Sequence, residues 1–296
     1  MPAYANPDAL VSTDWLQNNL SRPDVRVLDA SYWARIEQRD AWEEFLELHV
    51  PGAAFFDIDR ICDAASPEDH MLPTADVFAA EVGKLGIGND SHVVVYDNAG
   101  GGAAAARVWW MFHVFGHRRV SVVDGGFSAW LREQRPTEEG EASPVPRSFT
   151  PHWNGALTRT LDQVEAGLGR EQILDARSPA RFNGEAPEPR PTPRLGHIPG
   201  SINVPFLDLL DKREMTFLPA DRLRRRFEAA GVDLDRPVVA TCGSGVTCCL
   251  LTLGLYLIGK TDFANYDGSW AEWSQHPELP IETGTAAPLS GARHVA

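Results

Sequence analysis

Cys242 stands between the apolar run Val238-Val239-Ala240 and the stretch Gly243-Ser244-Gly245-Val246-Thr247, and a strongly apolar segment follows. Glycine permits positive φ and close backbone approach, so the five residues after the cysteine can curl with successive N–H groups pointing inward. A helix expected to begin near Val246 adds free N–H groups and the positive end of its dipole. Such a cradle stabilises a thiolate, lowers the thiol pKa and makes Cys242 a nucleophile near neutral pH. It also suits an anion lying beside the sulfur.

Two kinds of chemistry use a cysteine in an anion cradle. A phosphatase needs an arginine after five intervening residues to clamp the phosphoryl group, and here that position is Cys248. Sulfur transfer needs no clamp: the thiolate takes sulfur, becomes a persulfide stabilised by N–H groups, and hands the sulfur on. The residues favour the second. Cys248 and Cys249 read as small buried apolar residues at the start of the helix. Cys62 carries no assignment.

The wider composition limits the setting. With four cysteines, no CxxC spacing and no Cys/His cluster, the chain reads as neither a disulfide scaffold nor a zinc protein, and a reducing, cytoplasmic location is expected. A net charge of −14 argues against a nucleic-acid surface or attraction to anionic lipid. The first residues lack a basic segment followed by an apolar run, and the longest apolar stretch, 246–259, is shorter than the roughly 20 residues that span a bilayer.

The elements that must position Cys242 occur twice. "VLDA" at 27–30 matches "ILDA" at 173–176, "HVPGAAFFDI" at 49–58 matches "HIPGSINVPF" at 197–206, and "DGGFSAW" at 124–130 matches "DGSWAEW" at 267–273. Each copy alternates short apolar strands with helical stretches, which implies α/β domains with parallel sheets flanked by helices. Ligands in such sheets bind beyond the carboxyl ends of the strands. Asp97 occupies in the first copy the place of Cys242 in the second. A carboxylate there repels an anion, so the first copy reads as catalytically silent. The expected organisation is a silent domain over 8–140, a Pro/Ser/Glu-rich linker over 141–156 and a cysteine-bearing domain over 157–284. His49 and His197 recur in both copies and therefore read as structural, and the tryptophans read as core anchors.

Together "HVPGAAFFDIDRICD", "DHMLP", "RVWWMFHVFGH", "RFNGEAPEPRP", "CGSGVT" and "YDGSWAEW" closely resemble the two-domain rhodanese family, over nearly the whole chain. The resemblance implies two tandem rhodanese-like domains with the active site at their interface. It implies sulfur transfer through a Cys242 persulfide, with no cofactor and no metal. In the thiosulfate:cyanide branch the cysteine is followed by Arg-Lys-Gly. Gly243-Ser244-Gly245 is instead the pattern of the branch that uses 3-mercaptopyruvate, a 2-oxo thiol acid. The resemblance assigns its binding to Arg181 and Arg190, two of four arginines between 177 and 194, and guanidinium groups suit a carboxylate beside a carbonyl. Arg177 is expected to tie loops by pairing with an acidic residue, and Arg194 to face solvent. A Ser244/His70/Asp59 relay is implied for proton movement, and thioredoxin, a small thiol or cyanide as acceptor. Gly268 and Ser269 are expected to brace the cysteine loop.

Overall fold

The apolar runs of each half become five short strands separated by helices in the same order. The computed structural model describes residues 3–34, 37–98 and 101–284; Ala99 and Gly100, in the glycine loop of the first copy, lie outside the described residues. The first copy runs β1 (Leu10–Val11), α1 (Thr13–Asn19), β2 (Val25–Asp29), α2 (Ala41–Glu47), β3 (Ala54–Phe55), α3 (Ala75–Lys84), β4 (His92–Tyr96), α4 (Ala103–Val114), β5 (Val120–Val123) and α5 (Gly126–Arg132). The second runs β6 (Thr158–Arg159), α6 (Leu161–Gly167), β7 (Gln172–Asp175), α7 (Pro179–Phe182), β8 (Ile202–Asn203), α8 (Ala220–Ala229), β9 (Val238–Thr241), α9 (Cys248–Leu257), β10 (Phe263–Tyr266) and α10 (Ser269–Gln275).

Each sheet is wholly parallel, in the orders β1-β5-β4-β2-β3 and β6-β10-β9-β7-β8. Strand by strand the two orders are the same. The registers agree as well: Asp29 of "VLDA" pairs with Tyr96, and Asp175 of "ILDA" pairs with Thr241. Asp97 and Cys242, the next residues along β4 and β9, therefore occupy equivalent ends of equivalent strands.

Local sequence sets several boundaries. Ser12, Thr74 and Thr160 accept hydrogen bonds from first-turn amides of α1, α3 and α6, and Thr160 with Gln163 forms a reciprocal capping box. The α4 and α9 sequences are apolar around nearly their whole circumference, so each must be covered on every side. They cover each other. The two helices pack together at the centre of the molecule, Trp109 against Tyr256 with ring centroids 5.3 Å apart. One apolar core runs through both domains there, while smaller cores lie under the outer faces of the sheets.

The segment 141–156 wraps along the first domain. Arg147 N donates to Gly83 O at 2.9 Å, His152 N to Phe115 O at 2.8 Å, and Phe149 enters the core. A Cβ on Gly83 would lie 2.5 Å from Arg147 O, so this close approach requires glycine. His49 and His197 make the same contacts in each copy, Nδ1 at 2.7 Å from the carbonyl of Phe45 or Phe182 with the rings stacked. Among the described residues no helix is long and apolar enough to cross a membrane.

Candidate active site

Cys242 directly follows β9 and is 1% exposed. Its loop is built by turning carbonyls away from the sulfur. Cys242 O and Gly243 O accept from Trp270 N at 3.0 Å and Ala271 N at 2.9 Å, both in the first turn of α10. Gly245 O accepts from Arg107 Nη1 at 3.0 Å. Ser269 Oγ accepts from Cys242 N at 3.2 Å and Gly245 N at 3.1 Å and lies 3.9 Å from Cys242 Sγ. The brace expected from packing at Ser269 is thus made by hydrogen bonds. Gly245 has φ 73°, and a Cβ there would meet Asp267 O at 2.5 Å. Past this left-handed residue α9 begins at Cys248, with Thr247 before it already in helical geometry, within two residues of the start near Val246 read from the sequence.

Burial alone raises the Cys242 thiol pKa. The Cys248 thiol, the Thr247 hydroxyl and the N–H groups of Cys248 and Ser244 outweigh burial and hold it well below the ordinary value. Cys248 is therefore more than apolar filling, because its side chain faces the nucleophile. The folded chain favours the thiolate, so this group's contribution to stability is full above the unfolded thiol pKa of about 8.5 and declines as pH falls through the depressed value. Alkylation of Cys242 by iodoacetamide is expected to be flat from about pH 7 to 9, where an unperturbed thiol rises roughly tenfold or more. A steep rise across that interval would contradict a preformed thiolate.

The sulfur faces a cavity of about 260 Å³ whose walls include Tyr32, Arg181, Arg190, Ser244 and Thr247. Both expected arginines reach it, each already paired. Arg181 Nε lies 3.1 Å from Glu188 Oε2, which its Nη2 also contacts, and Glu188 Oε1 takes Arg177 Nη1 at 2.7 Å. Arg177 is buried, bridges Asp175 and Glu188, and donates to Gly196 O at 2.9 Å, which is the tying role expected of it. Burial opposes its charge, but Asp175 and Glu188 hold the guanidinium pKa above normal. Arg190 pairs through Nη1 with Asp69, while Nη2 donates to Tyr32 Oη at 2.7 Å and to His70 Nε2 at 2.9 Å. Arg194 does not face solvent alone. It donates to the carbonyls of Trp273 (3.0 Å), Ser274 (3.0 Å) and Leu279 (2.8 Å), capping the end of α10.

His70 is buried and brings its Nδ1 within 2.9 Å of Asp59 Oδ1, off the line of the ring N–H. Because Arg190 donates to Nε2, the neutral ring carries its proton on Nδ1, the nitrogen nearer Asp59. Ser244 lies on the cavity wall beside Cys242. Among the described residues no hydrogen bond joins Ser244 to His70: Arg190, not Ser244, occupies Nε2. His70 and Asp59 thus lie side by side, 2.9 Å apart at their nearest atoms, and the serine stands apart from them.

Arg107 went unassigned in the sequence. Its signal was a single charged residue inside the apolar α4. Wholly buried, it reaches from the first domain to Asp267 Oδ1 and Gly245 O in the second, and to His70 O. Asp267 Oδ2 also accepts from Leu72 N at 2.7 Å. One ion pair thus locks the cysteine loop to the turn that carries His70. Burial opposes the charge, but Asp267 outweighs it and the guanidinium stays protonated.

A family model described as the rhodanese-like domain matches residues 12–133 and again 160–276. The chain is 46% identical over 285 residues to human 3-mercaptopyruvate sulfurtransferase, covering 93% of this chain and 96% of the human protein. It is 48% identical over 286 residues to bovine thiosulfate sulfurtransferase, with coverage of 93% and 96%. Among solved structures it is similar to SseA of Escherichia coli, described as a 3-mercaptopyruvate sulfotransferase of rhodanese fold, at TM-score 0.81 and 37% identity, covering 88% of this chain and 98% of that one. Two matched domains, two sheets of one topology and relatives this similar along nearly their whole length leave one conclusion: the chain belongs to the rhodanese family.

Proposed function

We propose that this chain is a 3-mercaptopyruvate sulfurtransferase, and that Cys242 carries the sulfur. The Cys242 thiolate attacks the sulfur of 3-mercaptopyruvate, and the carbon–sulfur electrons pass to the methylene carbon as the enolate of pyruvate. The substrate's thiol proton ends on that carbon, so pyruvate leaves and the persulfide remains. The N–H groups of Ser244 and Cys248, with the Thr247 hydroxyl, hold the persulfide's negative charge as they hold the thiolate's. Gly243, Ser244, Gly245, Val246 and Thr247 form the cradle. Arg181 and Arg190 hold the carboxylate and adjacent carbonyl. His70, with Asp59 beside it, assists proton movement near the enolate through Arg190, which lines the same cavity as Ser244.

Overall similarity does not select the donor, since relatives named for mercaptopyruvate and for thiosulfate are alike in identity. The loop carries the choice. Gly243-Ser244-Gly245 brings no positive side chain beside the sulfur, which weakens attraction for a small dianion. The site a Cβ on Gly243 would occupy lies 2.6 Å from Arg181 Nη2, so glycine leaves that arginine its place on the cavity wall. With one fixed acceptor, 3-mercaptopyruvate is expected to exceed thiosulfate in kcat/KM by at least about tenfold, equivalent to about 1.4 kcal/mol in transition-state stabilisation. A preference for thiosulfate would replace this reading with the thiosulfate:cyanide one. A thiol acceptor, thioredoxin or a small thiol, and a cytoplasmic location complete the proposal; one relative, from Arabidopsis thaliana, is named as mitochondrial.

A further inference from the structure

Arg190 has an exposed partner and a sheltered one. Its pair with Asp69 involves a carboxylate that is 41% exposed, where water screens the attraction. The sheltered contacts are on Nη2: Tyr32 Oη at 2.7 Å and His70 Nε2 at 2.9 Å. The Tyr32 ring stands edge-on to the His70 ring, centroids 4.9 Å apart at 83°, and Tyr32 also lines the cavity that Cys242 faces. One residue therefore fixes the orientation of both the guanidinium and the imidazole. Its hydroxyl accepts from Arg190, which leaves its own O–H to donate. Burial raises the phenol pKa first, more than Arg190 lowers it, so that proton is retained at neutral pH.

We propose that Tyr32 is a positioning residue for 2-oxo acid recognition, holding Arg190 against His70. The identity of the substrate rests on the proposed function above. A phenol suits this place better than a charged group. It satisfies a guanidinium N–H without neutralising the cation that must meet a carboxylate.

Tyr32→Phe keeps the ring on His70 and removes only the oxygen. Pyruvate, titrated calorimetrically, is the probe, alongside steady-state turnover of 3-mercaptopyruvate. The variant is expected to bind pyruvate about threefold to tenfold more weakly, the range that one neutral hydrogen bond supports, with KM rising more than kcat falls. In an Arg190→Ala background the same change should cost less than about twofold, because the group that Tyr32 positions is gone. Pyruvate affinity within about twofold of wild type, an equal loss in the Arg190→Ala background, or no pyruvate binding by the wild type would each overturn the assignment. A wild type that binds pyruvate yet fails to turn over 3-mercaptopyruvate would defeat the proposed function, and the titration would still decide on Tyr32.

Discussion

Cys242→Ser is expected to abolish sulfur transfer, with kcat/KM falling by about four orders of magnitude or more under any donor and acceptor. A serine hydroxyl fits the same cradle but is neither ionised near neutral pH nor able to form a persulfide. Cys249→Ala should act mainly on stability. Its Sγ bonds to Gly245 O at 3.4 Å and Asn265 Nδ2 at 3.1 Å and is not among the groups that stabilise the Cys242 thiolate. Cys248→Ala should differ from both. It removes a side chain that stabilises the thiolate, so the Cys242 pKa rises and alkylation at neutral pH slows while transfer persists. Steady-state rates and the pH dependence of alkylation separate the three variants. Substantial transfer by Cys242→Ser would refute the mechanism.

Arg107→Met should produce the largest loss of stability. The substitution leaves Asp267 buried without its cation, and it strips Gly245 O and His70 O of their donor. Breaking a buried ion pair from one side costs about 3–5 kcal/mol, because the remaining charge is uncompensated. Arg107→Lys is not expected to rescue it, since a single ammonium does not reproduce a fork that serves three acceptors in two domains. Activity should fall with stability because the same side chain fixes the cysteine loop relative to the His70 turn. Urea denaturation checks the first expectation and kcat/KM of the folded fraction the second. A variant within about 1 kcal/mol of wild type would show that the pair contributes little.

What could be read from the sequence follows from how local each feature is. The Cys242 loop is contiguous, so residue types alone showed a thiolate cradle at a strand end. The duplication was legible because paired segments such as "VLDA" and "ILDA" keep their order, and the parallel sheets because strands alternate with helices within each copy. Contacts made across the chain were not legible. Arg107 and Asp267 are 160 residues apart and meet only because α4 packs on α9. Arg194 looked like a surface charge, because nothing local shows that the end of α10 lies against it. The start of α9, read near Val246, was legible to within two residues, because the glycine loop and the apolar run after it are both local. Family resemblance supplied His70 and Asp59, yet the neighbour on His70 Nε2 is Arg190, a matter of side-chain geometry.

The most direct test of the account is the mass of the protein after one equivalent of 3-mercaptopyruvate, with no acceptor present, followed by peptide mapping. The expected result is one added sulfur atom on the peptide bearing Cys242, an equal amount of pyruvate, and removal of that sulfur by a thiol. An unmodified Cys242, sulfur retained on another cysteine, or pyruvate formed without sulfur on the protein would contradict it.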